Sequence, residues 1–211
     1  MESERIKVAV VGASGYTGQE LLRLLAMHPA VELVSVTSRQ EAGRPLTAVF
    51  PRLKGAPSVE GLSFMEPDIA AITATGATVA FLALPHGVAS EFAIPLLENG
   101  IRIIDLSADF RLRSAAVYRE YYGHEHPAPA LLKKAVYGLP EFYREEIVSA
   151  DLVASPGCYP TSILVPLVPL LKAGVISAKG IAVSSLSGVS GAGKKAEASL
   201  LFAEVNESLR A

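Results

Sequence analysis

Ile6-Lys7-Val8-Ala9-Val10-Val11-Gly12-Ala13-Ser14-Gly15-Tyr16-Thr17-Gly18 is the stretch on which the fold of this chain turns. Its first six residues are mainly β-branched and barely alternate, as expected of a strand buried on both faces of a parallel sheet. The strand runs straight into Gly12, Gly15 and Gly18, and residues 19–27 follow with Leu21, Leu24 and Leu25 on one helical face. Strand, glycine loop and helix together form the context in which a pyrophosphate can approach a helix N-terminus. The spacing is G-x-x-G-x-x-G rather than G-x-G-x-x-G, so the bare pattern also fits a structural turn. The flanking strand and helix favour dinucleotide binding.

Working outward, residues 31–37 read as the second strand and end at Ser38-Arg39, about twenty residues past the loop, where an NAD-binding unit places an acidic residue on the ribose. Serine and arginine there point instead to a 2′-phosphate, and so to NADP(H). Glu41 stands close by as a competing ribose partner, and an arginine that merely solvates the strand end is the plain alternative. After a Gly- and Pro-rich loop over 43–61, residues 68–73 read as a short helix, 79–84 as a buried strand, 88–98 as a helix and 102–105 as a strand. This β-α-β alternation without internal repeats predicts a doubly wound α/β sheet. Residues 106–140 read as irregular, and 142–149 as a short helix with Glu141 near its start.

The second decisive stretch is Ser155-Pro156-Gly157-Cys158-Tyr159-Pro160-Thr161-Ser162, which holds the single cysteine of the 211 residues. It lies between a strand over 151–154 and a helix beginning near Pro160, and proline suits a first helical turn because its missing N–H would have had no partner. A thiol at a helix N-terminus meets unpaired N–H groups and the positive end of the dipole, which favour the nucleophilic thiolate. A free cysteine is otherwise a small buried hydrophobe. Gly157 and the two prolines describe an exposed turn instead.

Composition bounds the rest. Half of the residues are apolar, the formal net charge is −2 and mean hydropathy is +0.36. These values exclude a disordered chain and argue against nucleic-acid or polybasic membrane partners. The longest apolar stretch, residues 163–171, is too short for a bilayer and carries Pro166 and Pro169. One cysteine precludes an intramolecular disulfide framework and fits a reducing compartment. With no signal peptide ahead of the first strand, the expected location is the cytoplasm.

Several weaker signals stay open at this point. His86 follows a strand end in Pro85-His86-Gly87, where ligands bind in such sheets, but a histidine in that turn can equally be structural. Asp109 and Arg111 can bind an acidic substrate or form a surface ion pair worth little. His124 and His126 lack the neighbours of a tetrahedral metal site, so no metal is expected. Residues 181–185 read as a strand that opens Ser187-Gly188-Val189-Ser190-Gly191-Ala192-Gly193-Lys194-Lys195. That loop approaches a P-loop but has Lys195 where Ser or Thr would hold Mg²⁺, and it fails as a nucleophile elbow at Ala192. What remains is a donor-rich loop suited to an anionic or amide group. Residues 196–210 carry helical spacing through Leu201, Val205 and Leu209. A domain boundary is expected near 150, between a dinucleotide-binding unit over 1–150 and the first part of an α+β catalytic domain over 151–211.

Six motifs in order carry a family resemblance: V-G-A-S-G-Y-T-G (11–18), L-P-H-G (84–87), D-L-S-A-D-F-R-L (105–112), V-Y-G-L-P-E (136–141), S-P-G-C-Y-P-T (155–161) and S-G-V-S-G-A-G (187–193). Together they resemble the N-acetyl-γ-glutamyl-phosphate reductases, relatives of aspartate-semialdehyde dehydrogenase, although that family more often has Asn where Ser155 stands. The resemblance implies a Rossmann-type cofactor domain and Cys158 as the catalytic nucleophile that forms a thioester. It implies NADP(H) held by Gly12, Ser14, Gly15, Tyr16, Thr17, Gly18, Ser38 and Arg39, and reached by Leu84, Pro85, His86, Ser190 and Gly191. Ser107, Arg111 and Glu141 are the implied contacts of a small acyl-phosphate substrate, and a homo-oligomer is implied. Members of the family are longer, and their acid/base histidine lies beyond this stretch; none of His28, His86, His124 and His126 matches it. Two other readings remain: the same chemistry on an aminoadipyl or aspartyl phosphate, and a catalytically incomplete NADP-binding module.

Overall fold

A computed structural model of the chain describes residues 5–194 and 197–208. Its strands are β1 (Ile6–Val11), β2 (Val31–Val36), β3 (Val79–Leu82), β4 (Arg102–Asp105), β5 (Val136–Tyr137) and β6 (Leu152–Ala154). They form one parallel sheet in the order β2-β1-β3-β4-β6-β5. The helices are α1 (Tyr16–Ala26), α2 (Leu46–Val49), α3 (Ile69–Ala74), α4 (Ala89–Glu98), α5 (Ala115–Tyr122), α6 (Pro129–Lys134), α7 (Pro140–Ser149), α8 (Cys158–Lys172) and α9 (Phe202–Val205).

The lack of alternation in β1 has a direct cause. Val8 and Val10 face one core with Leu22 and Leu25 of α1, while Ala9 and Val11 face another with Ile72, Phe92 and Leu96. A strand covered on both faces needs no polar side. Because β2 lies on one side of β1 and β3 on the other, the winding reverses between β1 and β3. Ligands of open α/β sheets bind outside the strand ends at such a reversal.

Four sequence expectations change. The Gly- and Pro-rich loop over 43–61 is packed: it contains α2 and two short 3-10 turns, and Leu46, Phe50, Leu53 and Val59 from it join the α1-side core with Phe64. Residues 106–140 are not irregular but hold α5, α6 and the edge strand β5. Ser114 caps α5 by accepting the Val117 N–H, and Gly123 ends it in the left-handed region at φ +76°. Strand β6 pairs with β4 and β5 in the same sheet, so the sheet includes residues just past 150. Residues 181–185 form no strand, since nothing among the described residues lies alongside to complete a ladder. Of the helix expected over 196–210, a 3-10 turn at Ala198–Leu200 and α9 are present, whereas Leu209 lies outside the described residues, as do Lys195 and Ala196.

Candidate active site

A cleft of about 890 Å³ opens where the winding reverses. Its wall brings together Gly12, Ser14, Gly15, Tyr16, Thr17 and Gly18 with Ser38, Arg39, Leu84, Pro85, Arg111, Cys158, Ser190 and Gly191. His86, Ser107 and Glu141 do not line it. Thr37, Gln40 and Lys194 do, and sequence reading did not single them out as site residues.

Each glycine of the first loop meets a different constraint. Gly12 has φ +81°, and a Cβ there would lie 2.6 Å from Leu84 Cδ2 and 2.8 Å from the Ala83 carbonyl oxygen. A Cβ on Gly18 would lie 2.5 Å from Ala13 Cα, so this glycine lets α1 close on the turn. Gly15 instead faces open space, with nothing within 4 Å of where a Cβ would stand. It is the N-cap of the 11-residue helix α1 and supplies no side-chain cap. An open cradle at an uncapped helix start suits an anionic group such as a pyrophosphate. The loop is tied to the end of β2: Gly12 N–H donates to Thr37 Oγ1 at 3.3 Å, and Ala13 N–H to the Thr37 carbonyl at 2.9 Å.

Just beyond, Ser38 is buried with its Oγ accepting the Glu41 N–H at 3.3 Å, and Arg39 is exposed at the cleft rim. Glu41, the competing ribose partner, pairs with Arg44 and is not on the cleft wall.

At the far end of the cleft, α8 starts at Cys158 itself, two residues before the proline that marked it in sequence. The thiol is exposed, and Gly157 caps the helix without a side-chain bond. Arg111 lies beside this turn. Its Nε donates to the Ser155 carbonyl at 2.8 Å and its Nη2 to the Leu106 carbonyl at 3.1 Å. A Cβ on Gly157 would come within 3.2 Å of Arg111 Nη1, so glycine keeps the guanidinium next to the cysteine turn. Arg111 therefore makes no surface ion pair with Asp109.

The D-L-S-A-D-F-R-L segment acts as a brace below the cleft. Ser107 donates from both N–H (2.9 Å) and Oγ (2.8 Å) to the Asp105 carboxylate, and its Oγ accepts the Asp109 N–H at 3.1 Å. Ser107 is buried, with its hydroxyl bonded to Asp105 and Asp109, and it is not on the cleft wall. The buried Asp109 carboxylate accepts the Gly87 N–H at 2.8 Å and the Ser90 N–H at 3.3 Å, holding the turn before α4. His86 Nδ1 stands 3.5 Å from it, with the ring edge-on to Tyr122. Thus His86 turns toward the brace, and Glu141 is exposed on the first turn of α7. Burial pushes the Asp105 carboxyl up to about 6, with the Ser107 donors opposing the rise.

His126 is a core residue, packed edge-on against Tyr118 and Phe110 and accepting the Ala128 N–H at Nδ1. Burial lowers its pKa, which keeps the ring neutral. His124 bonds the Tyr118 hydroxyl through Nε2 at 3.3 Å. Among the described residues no group of three His, Cys, Asp or Glu side chains is placed to hold a metal, and no helix is long and apolar enough to cross a membrane.

Residues 7–150 match the model of the semialdehyde dehydrogenase NAD binding domain. The chain belongs to the semialdehyde dehydrogenase family. Residues 158–211 match the semialdehyde dehydrogenase dimerisation domain, the second model of the same family. Among curated relatives, an N-acetyl-gamma-glutamyl-phosphate reductase of Akkermansia muciniphila is 61% identical over 208 residues, covering 99% of this chain and 60% of the relative. The enzyme of the same name from Rhodopirellula baltica is 48% identical, over 100% of this chain and 60% of its own length. The chain thus spans about 60% of the length of these relatives.

Among solved structures, aspartate semialdehyde dehydrogenase II from Vibrio cholerae, complexed with ASA, aligns at TM-score 0.63 and 21% identity over 91% of this chain and 49% of that one. Aspartate semialdehyde dehydrogenase from Candida albicans, with NADP, aligns at TM-score 0.52 and 17% identity over 79% and 47%. At these identities the likeness is one of fold.

Proposed function

We propose that this semialdehyde dehydrogenase chain carries the cofactor cleft and the nucleophile of an NADPH-dependent reductase. It converts N-acetyl-γ-glutamyl phosphate to N-acetylglutamate semialdehyde and inorganic phosphate, a step of arginine biosynthesis. The observation that carries this reading is that Cys158, at the start of α8, opens on the same cleft as the uncapped start of α1. A nucleophile and a dinucleotide cradle in one cleft are what reduction through a covalent acyl intermediate requires.

The Cys158 thiolate adds to the γ-acyl carbon. A C–S bond forms, the C–O bond to phosphate breaks, and phosphate leaves with the bonding pair. Arg111 stands beside this turn with Nη1 directed at Gly157, where it attracts the anionic acyl phosphate. When bound, NADPH supplies the hydride that reduces the thioester carbon. As the carbonyl re-forms, the C–S bond breaks and the pair returns to sulfur, restoring the thiolate. Gly12, Ser14, Gly15, Tyr16, Thr17 and Gly18 would hold the pyrophosphate side of the cofactor, and Ser38 and Arg39 its 2′-phosphate. Leu84, Pro85, Ser190 and Gly191 would bound the nicotinamide end. The protein works in the cytoplasm as a homo-oligomer, in keeping with its match to a dimerisation domain.

The test uses the protein at the full length of its relatives. Mixed with N-acetyl-γ-glutamyl phosphate and no NADPH, it should release one equivalent of phosphate, and the Cys158 peptide should gain the mass of one acyl group. Cys158→Ser should release none and lose turnover, with NADPH affinity nearly unchanged. A serine variant that keeps more than a few per cent of the rate overturns the nucleophile. A faster burst with aminoadipyl or aspartyl phosphate would reassign the substrate.

A further inference from the structure

The segment Ser187-Gly188-Val189-Ser190-Gly191-Ala192-Gly193-Lys194 has nearly P-loop spacing, and its lysine reaches the other glycine loop of the molecule. Lys194 Nζ donates to the Ser14 carbonyl at 2.7 Å, a contact between residues 180 apart in sequence. The ammonium also lies over two aromatic rings, 5.5 Å from the centroid of Tyr16 and 5.1 Å from that of Phe50. Three contacts from different elements therefore hold one flexible side chain at the entrance to α1.

An ammonium has three donors, and Ser14 takes one. Lys194 pairs with no carboxylate among the described residues, so its charge is not neutralised there. Among the described residues, the cations on the cleft wall are Arg39, Arg111 and Lys194. Arg39 stands just past β2 and Arg111 beside Cys158, whereas Lys194 is at the glycine loop, next to the open Gly15 cradle. A 2′-phosphate, an acyl phosphate and a pyrophosphate are the three anionic groups that the reductase reaction brings to this cleft.

We propose that Lys194 binds the pyrophosphate of the dinucleotide, so that residues 12–18 and residues 188–194 are two halves of one phosphate clamp. The inference rests on the cofactor reading given above. It adds a cation from the far side of the cleft to backbone donors on the near side. Because the lysine comes from the segment carrying Ser190 and Gly191, its grip also draws that segment over the cofactor.

The pyrophosphate is common to NADPH, NADH and ADP-ribose, and is missing from adenosine 2′-monophosphate. In the full-length protein, Lys194→Gln should weaken the first three by the same factor, roughly tenfold, and leave adenosine 2′-monophosphate unchanged. Lys194→Arg should restore most of the affinity, and the salt dependence of NADPH binding should become shallower in Lys194→Gln. If wild type binds NADPH and ADP-ribose and Lys194→Gln binds them equally well, the clamp is overturned while the cofactor reading stands. Equal weakening of adenosine 2′-monophosphate would overturn it too, by showing a general effect on the cleft. If wild type binds none of these ligands, the cofactor reading fails and the clamp with it.

Discussion

Helices α1 and α8 both start directly after a glycine cap without a side-chain bond, and both present that start to the same cleft. Beyond the first turn they diverge. Helix α1 buries Gly18, Leu22, Leu25 and Ala26 against the sheet, while α8, with 15 residues and an almost wholly apolar composition, buries none. Downstream of α8, Val183, Leu186 and Phe202 are likewise exposed. The chemistry at a helix start needs only the strand and turn before it; Arg111 and β6 supply these for Cys158. Burial along the rest of a helix needs a partner surface. For α8 the described residues provide only a partial one: Ile163, Leu164, Val165, Leu167, Val168 and Leu171 are half-buried and Leu170 is exposed. The site is thus assembled on one well-packed half and one open half.

The largest expected effect tests that contrast directly. Leu22→Ala should destabilise the 211-residue chain by about 2–5 kcal/mol, because it empties a fully buried site. Leu170→Ala on α8, at 45% exposure, should change stability by no more than about 0.5 kcal/mol. Urea unfolding of both variants checks this. A large loss for Leu170→Ala would mean that α8 is buried in solution, and the two halves would no longer differ.

The contrast also marks where sequence reasoning reaches. Strands β1 and β3 were legible because both are near-continuous apolar runs, as in strands covered on both faces. Helices α5 and α6 were missed, since Tyr118 and Leu132 are their only buried residues and make no periodic stripe. Their signals were caps: Ser114 three residues before Val117, Gly123 after the last turn, and Pro129 at the first turn of α6. Residues 181–185 have a strand's composition, but composition cannot say whether a neighbouring strand exists. In the cleft, glycine spacing and the lone cysteine were enough to find both ends. The place of Ser107 was not legible, because its buried tie to Asp105 depends on how the chain turns after β4. Lys194 had its signal in the P-loop-like spacing, yet its contact with Ser14 spans most of the chain.

A smaller effect sharpens the comparison through pH. Asp105 belongs to the packed half, with a carboxyl raised from 3.8 to about 6 by burial. A raised acid binds its proton more tightly folded than unfolded. Its contribution is therefore fully present below about 4, declines as pH rises to about 6, and stays lost above. The shift corresponds to at most about 3 kcal/mol. Measured by urea unfolding between pH 4 and 7, the stability difference between wild type and Asp105→Asn should move in favour of the variant as pH rises. A constant difference would mean that Asp105 is ionised in the fold across this range and that burial is not governing it.

The smallest effect concerns whether the two ends of the cleft act separately. Arg39 is exposed at the rim beyond β2 and has Ser38, not an acidic residue, before it; the nearby Glu41 is taken by Arg44. Replacing it with Ala removes one cation from a 2′-phosphate. Solvent screening at an exposed position keeps the loss near the low end for a charge-assisted contact, roughly tenfold in Kd. NADPH binding should weaken by that factor, NADH binding should hardly change, and alkylation of Cys158 by iodoacetamide should keep its rate. Fluorescence titration with both cofactors, alongside the alkylation time course, checks all three. Equal weakening of NADPH and NADH would make Arg39 a structural residue. A slower alkylation would show that the cofactor rim and the cysteine turn are coupled across the cleft, despite the different packing of their two helices.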